Sequence, residues 1–466
     1  MSVTSPANRI RHQGRAPARC LAILGVMVAV AVAGCGTVAV RPSASPSSTS
    51  QATSQPSASP TPQASASPTA QPPDLLTGVT VSAADVQASA SAGNALAVDL
   101  LQQLASSQPD TNFVDSGYSL ATALAMLELG AVGDTQTQIA AVLHEAGVSP
   151  ALQAAAWKQL DASLLATAQG DGISLDDANA IWLQEGPPFN ATFLNTLVEE
   201  FAAPSSQVDF SGDPSDAANL INQWVSSATD GMIPTVVSAS DIQSLKLVLA
   251  DAIYFDADWL NEFDPSLTAA GPFNLPDGSQ VSAQMMRNPE LWTLPTYVGG
   301  GVTAVELPYV GGHFAADVIM PTSQSIGDFV AGMTPATLTG IEQSLTSTQY
   351  VKLTLPKFNI SSQESLIPIL QALGMTDAFD GAANFSGIDG ATDLQVGLLK
   401  QRAVMQVNEQ GTTAAAATII GGLGGGGPVP TITNIVINHP FLFVIRDTVT
   451  DAIVFTAQVV DPTAAS

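Results

Sequence analysis

Apolar positions fall into two regimes along the chain. From about residue 83 to residue 200 they recur at three- and four-residue spacing, the period of an amphipathic helix. The stretches "AGNALAVDLLQQLA", "SLATALAMLELGA" and "DTQTQIAAVLHEAG" each predict a helix, and in the second Leu120, Leu124 and Leu127 share one face. "ISLDDANAIWLQ" breaks the pattern and predicts a strand, after which "SDAANLINQWVSSAT" returns to helix. Beyond residue 245 the runs become strand-like: "LKLVLADAIYF", "VTAVELPYV", "FAADVIMP", "YVKLTLPKFNI", "RAVMQVN" and "TNIVINHPFLFVIRD". No linker-like composition and no repeat period interrupts this region. Helices first and long strands later, over about 390 residues, predict a single α+β domain with a large mixed sheet.

One segment departs from both regimes. "NEQGTTAAAATIIGGLGGGG", residues 408–427, sits between two strand-like stretches and runs from an acid through small residues into glycine. In an extended chain Thr412, Ala414, Ala416 and Thr418 share one face, and Thr413, Ala415 and Ala417 the other. All are small and none is charged. Such a strand could slide between two existing strands without displacing their side chains, whereas one unpaired charge there would cost several kcal/mol. The same composition suits an ordinary flexible loop, and from these residues alone both readings stand.

The N-terminus reads as processing sequence. Arg9, Arg11, Arg15 and Arg19 precede "LAILGVMVAVAVAGC", an apolar run short for a membrane span. Val32-Ala33-Gly34-Cys35 resembles a bacterial lipobox, whose cysteine becomes the lipidated first residue; a plain secretory signal or a short anchor is the alternative. From about Thr37 to Pro73 the chain is Ser, Pro, Ala, Thr and Gln with almost no charge, the composition of a disordered tether. The expected organisation is a signal peptide at 1–34, a tether at 35–74 and one folded domain at 75–466. The expected location is outside the cytoplasm, either anchored through lipid at Cys35 or secreted.

Charge and chemistry narrow the functions further. The 466 residues carry a net charge of −27, and without the four arginines of residues 1–34 the balance is 9 basic against 40 acidic side chains, or −31. Only five lysines are present, and no basic stripe could neutralise phosphate, so nucleic acid and polyanions are not expected partners. Both cysteines, Cys20 and Cys35, fall in or at the end of the signal, which leaves the domain no disulfide and no thiolate metal site. His144, His313 and His439 have no His or Cys at ligand spacing, so neither a metal nor a cofactor is implied. No G-x-S-x-G elbow occurs, and the glycine run lacks the Lys-Ser/Thr of a phosphate loop. In so acidic a chain Asp176-Asp177 and Glu199-Glu200 read as solvated faces, and His439 as a buried or strand-edge residue. An enzyme is not supported.

"VNEQGTTAAAAT" resembles the proximal hinge of the reactive-centre loop of serpins, and "NHPFLFVIRDTVTDAIVFTAQVVDP" resembles that family's closing strand pair. "SLATALAMLELGAVGDTQTQI" is similar to the helix at the opening region of the main sheet. "LKLVLADAIYFDADWLNEFDPSLT" is similar to the sheet's third strand, with Trp259 at its top. "VELPYV", "LTLPKFNI" and "LGMTDAFDGAANFSGI" follow in the family's order. The resemblance spans residues 80 to 462 and implies the serpin fold: a large mixed central sheet, additional sheets, about eight or nine helices and an exposed reactive-centre loop.

What the resemblance implies for function is suicide inhibition of an extracellular serine protease, or of a cysteine protease, by a monomer. The protease attacks the loop, and the cleaved loop inserts as an extra strand and traps the acyl-enzyme. A non-inhibitory surface lipoprotein on the same scaffold is the alternative. The implied hinge is Glu409, Gly411, Thr412, Ala414, Ala415, Ala416, Ala417 and Thr418, and its small residues follow the inhibitory pattern. Counting from Glu409 as in inhibitory relatives points to cleavage at Gly425-Gly426; counting back from Pro440 lands near Val429, so this loop is some four residues longer. Leu423, Gly424, Gly425 and Gly426 form the scissile region; Leu423 would direct an elastase-like or subtilisin-like enzyme, and a protease that cuts between glycines is the alternative. Glycine loses the most entropy on becoming strand, so slowed insertion and a substrate fraction are expected. At the sheet-opening point the family's Ser is Ser119, but its Asn reads Asp251, its His reads Gln401 and its Ser-Pro reads Ser116-Gly117. Gln401 can satisfy Asp251, which compensates for the change or brings pH sensitivity.

Overall fold

A computed structural model describes residues 74–202, 206–345, 348–412 and 432–464. The strand-like runs assemble into two sheets. The first has six strands in the order Phe358–Ser365, Leu398–Val407, Gly411–Thr412, Leu247–Asp258, Ser174–Gln184 and Ser206–Val208. It is mixed: the Leu247–Asp258 strand runs parallel to Leu398–Val407 and antiparallel to Ser174–Gln184. The second has ten strands and is mostly antiparallel, with the consecutive strands Phe441–Asp447 and Ile453–Val459 paired near one edge. The described residues form eleven α-helices, of which two, Ala239–Ile242 and Ser386–Asp389, are single turns of four residues.

Alternation along the six-stranded sheet decides what each face meets. On the Leu247–Asp258 strand Leu249, Ile253 and Phe255 enter the main core, while Val248, Ala250 and Ala252 pack with Ile221 and Val225 on the opposite face. The helix Gly117–Glu128 lies beneath the main-core face with all its residues buried. Most of its residues are apolar and they are spread around the helix, the signature of a helix enclosed by protein, with Ser119, Thr122 and Glu128 the polar exceptions. A Cβ at Gly117 would lie 2.7 Å from the Ala97 backbone, so close packing against the helix Ala83–Ser107 requires glycine there.

Two features of the sheets were not visible in the pattern. "YVKLTLPKFNI" reads as one strand-like run, yet Thr348–Pro356 belongs to the ten-stranded sheet and Phe358–Ser365 to the six-stranded one. The chain crosses at Lys357, whose N–H donates to the Gln284 carbonyl at 2.8 Å. A two-residue period continues through such a crossing because both strands bury alternate side chains. The hairpin Ala269–Asn274 with Gln280–Arg287 was also missed, since "AAGPFN" and "QVSAQMMR" alternate weakly.

Candidate functional site

The two long neighbours in the six-stranded sheet, Leu247–Asp258 and Leu398–Val407, form a seam with two halves. In the lower half Val248–Ile253 pairs directly with Leu398–Ala403. In the upper half the strands part, and Gly411–Thr412 sits between them, Thr412 opposite Ala257 on one side and Val407 on the other. Gly411 and Thr412, two residues of the hinge implied by the resemblance, are therefore strand, and Thr412 is 1% exposed.

Local chemistry explains the entry. At Asn408 the chain leaves the Leu398–Val407 strand and turns back, because the Asn408 Oδ1 accepts from Gln410 N at 2.9 Å and Gly411 N at 3.3 Å. A Cβ at Gly411 would lie 2.0 Å from the Ala257 carbonyl oxygen, a backbone atom that cannot yield. Gly411→Ala is therefore expected to expel Gly411–Thr412 from the seam; hydrogen exchange at the Thr412 amide measures it, as lost protection. The Thr412 hydroxyl meets the Tyr309 hydroxyl at 2.7 Å.

Aromatic and charged groups hold the turn from above. Trp259 stacks on Tyr309 with ring centroids 4.6 Å apart, and its indole Nε1–H donates to the Asn408 carbonyl at 3.0 Å. The backbone N–H of Trp259 donates to the Gln410 carbonyl at 2.7 Å, and that of Phe263 to the Glu409 carbonyl at 2.8 Å. The Glu409 carboxylate pairs with the Lys357 Nζ at 2.6 Å and accepts from the Thr268 hydroxyl at 2.7 Å. Burial works against its charge, but Lys357 and Thr268 outweigh it and hold the Glu409 carboxyl below its ordinary range.

Under the closed half of the seam lies a polar cluster. Ser119, Asp251 and Gln401 meet there: the Ser119 Oγ lies 2.5 Å from Asp251 Oδ1, and the Gln401 Nε2 donates to Asp251 Oδ2 at 2.8 Å. Gln401 also binds Ser116 through both its amide groups, while the Ser116 hydroxyl donates to the Val454 carbonyl at 2.6 Å and accepts from Ser119 N. Burial pushes the Asp251 carboxyl up to about 7, against the hydrogen bonds from Ser119 and Gln401. Asp177 departs from its reading as a solvated residue: it is half-buried and bonded to Ser119 and Asn179. Tyr309, Thr268, Lys357, Asp177 and Asn179 were not singled out as site residues by sequence reasoning, although all five fall within quoted stretches: "VELPYV", "LKLVLADAIYFDADWLNEFDPSLT", "LTLPKFNI" and "ISLDDANAIWLQ". Cys35, Ala414, Ala415, Ala416, Ala417, Thr418, Leu423, Gly424, Gly425 and Gly426 lie outside the described residues.

Comparison with known proteins matches this architecture. The family model described as serpin (serine protease inhibitor) matches residues 91–462. The leukocyte elastase inhibitor of Bos taurus is 32% identical over 385 residues, covering 80% of this chain and 98% of that protein. Human thyroxine-binding globulin, solved with its ligand, superposes with a TM-score of 0.72 at 26% identity, covering 82% of this chain and all of that one. An Arabidopsis serpin in its native stressed conformation gives 0.72 at 25% identity, covering 81% of this chain and 99% of that one. With a matching family model over most of its length, and the sheet, seam and hinge described above, the chain belongs to the serpin family.

Proposed function

We propose that this serpin is a single-use inhibitor of an extracellular serine protease, with a cysteine protease as the variant target. The observation that carries the reading is the position of Gly411–Thr412, already strand-paired on both sides at the top of a seam that remains closed below. The residues that follow, Thr413 to Thr418, are small and uncharged, so they can extend that strand without burying a charge. The elastase inhibitor among its relatives supports the same reading.

In this mechanism the protease nucleophile attacks the carbonyl of a bond in the region of Leu423 to Gly426, forming an acyl bond and freeing the new amino terminus of the C-terminal peptide. The loop, no longer tethered at that end, zips into the seam and carries the protease with it. Each backbone hydrogen bond gained contributes a net ~0.5–1.5 kcal/mol. In this reading the protein works as a monomer outside the cytoplasm, either lipid-anchored through Cys35 at the end of the 35–74 tether or secreted.

Incubation of the purified chain with subtilisin-like and elastase-like proteases tests the proposal on a denaturing gel with intact-mass analysis. The expected product is a covalent complex, and the released C-terminal peptide locates the bond between residues 423 and 429. Cleavage across the panel with neither complex nor gain in thermal stability would exclude insertion and leave a non-inhibitory surface scaffold.

A further inference from the structure

The polar cluster under the seam has one hydrogen too few for its contacts. The Ser119 Oγ touches a carboxylate oxygen on each side, Asp251 Oδ1 at 2.5 Å and Asp177 Oδ1 within hydrogen-bond distance. A serine hydroxyl donates only one proton. Gln401 cannot supply the second: its Oε1 accepts from Ser116 N at 3.0 Å, which orients the amide, and its two N–H bonds go to the Ser116 carbonyl and Asp251 Oδ2, each at 2.8 Å. Asn179 Nδ2 reaches Asp177 Oδ1 at 3.0 Å and Ser119 Oγ at 3.4 Å, but places nothing between Ser119 and either carboxylate. One of the two carboxyls must therefore carry the missing proton.

We propose that the closed sheet holds one proton shared by Asp177, Ser119 and Asp251, and that this proton is a pH-sensitive latch on the seam. The surrounding charges support it. From the helix beneath, Tyr118 faces the cluster and bonds Asp161 of the Pro150–Asp171 helix. Nearby Asp115 accepts from the Thr456 hydroxyl through Oδ2, while its buried Oδ1 has no partner. None of the ion pairs among the described residues includes Asp115, Asp161, Asp177 or Asp251. Lys400 and Arg402, which flank Gln401, bond Asp241 and the Thr235 carbonyl on the opposite face. Burial first, then the Asp161 and Asp251 charges, push the Asp177 carboxyl far up as well. Asp177 is half-buried and is the member through which solvent protons reach the cluster.

The latch has a definite sign. Opening the seam parts Gln401 from Asp251, which are cross-strand partners, and hydrates the carboxyls, so opening releases the proton. The closed state holds its full advantage below about pH 4 and loses it progressively as the pH rises toward and through about 7.

The test uses uncleaved protein, so it stands whether or not a protease is ever trapped; only the link from seam opening to inhibition rests on the proposed function. Protection factors of the backbone amides in the closed half of the seam, corrected for intrinsic exchange, should fall by up to roughly tenfold per pH unit between about pH 5 and pH 7. Asp251→Asn and Asp177→Asn each supply an amide donor to Ser119 and remove the need for the proton. Both variants should flatten the profile and lack one protonated-carboxyl carbonyl band in infrared difference spectra. A wild-type pH profile in both variants would overturn the latch. Loss of the band in only one of them would place the proton on a single carboxyl and overturn the sharing.

Discussion

Thr412→Arg should turn the protein from a trap into a substrate. Thr412 is 1% exposed, with Tyr309 the only side chain bonded to its hydroxyl among the described residues. An arginine there would have to bury a charge without a partner, at several kcal/mol, or leave the seam. If even about 3 kcal/mol of that cost falls on the barrier, insertion slows roughly a hundredfold and hydrolysis of the acyl-enzyme wins. The gel should show cleaved protein, free active protease and no covalent band. Full trapping by the variant would sink the insertion account, because the loop cannot enter without Thr412 leading.

Glu409→Lys should have the largest effect on the uncleaved protein. The substitution sets a second ammonium beside Lys357, where Glu409 now sits with its side chain 9% exposed and Lys357 at 38%. Breaking a fully buried pair costs about 3–5 kcal/mol; the solvent around Lys357 reduces this to ~2 kcal/mol. The turn at Asn408 then loses its anchor, Gly411–Thr412 is released, and the upper seam presents two unpaired strand edges. Thermal unfolding should fall by several degrees, with self-association that grows with concentration. The wild-type clamp has its own pH dependence. Because the Glu409 carboxyl lies below its ordinary range, its contribution is present above about pH 4.5 and is lost as the pH falls further. An unchanged melting temperature in the variant would show that the hinge is held by Trp259 and the turn alone.

Much of the fold was legible because burial imposes a period, and a period survives in sequence. The helix Gly117–Glu128 and the strand Leu247–Asp258 both announce themselves by their apolar spacing. The site was legible only in part. Ser119, Asp251 and Gln401 lie on three separate elements, and nothing in their local sequence joins them; the family resemblance did. Asp177 was misread because its neighbour Asp176 belongs to the opposite face, and a pair of adjacent acids says nothing about which one turns inward. Thr268, Lys357 and Tyr309 reach the hinge from strand ends and a crossing, positions set by topology rather than pattern. The early entry of Gly411–Thr412 depends on a gap that exists only once the two seam strands have parted.

That entry also turns the sheet into a ruler. Thr412 stands opposite Ala257 and Val407, so each further loop residue would step one place down both strands. Six steps bring Thr418 level with Asp251 and Gln401 at once, since those two are already partners. A threonine hydroxyl donates and accepts, so the loop carries its own replacement for the hydrogen bond that its arrival breaks. Three steps more, at Gly421, reach Val248 and Leu398 at the foot of the paired seam. The glycines from 424 onward then hang past the end of the sheet and need never become strand. On the proposed mechanism the slowing expected from glycine shrinks to Gly421 and Gly422, and the length of the sheet, counted from Thr412, would set how far from the hinge a protease must cut to be carried the whole way.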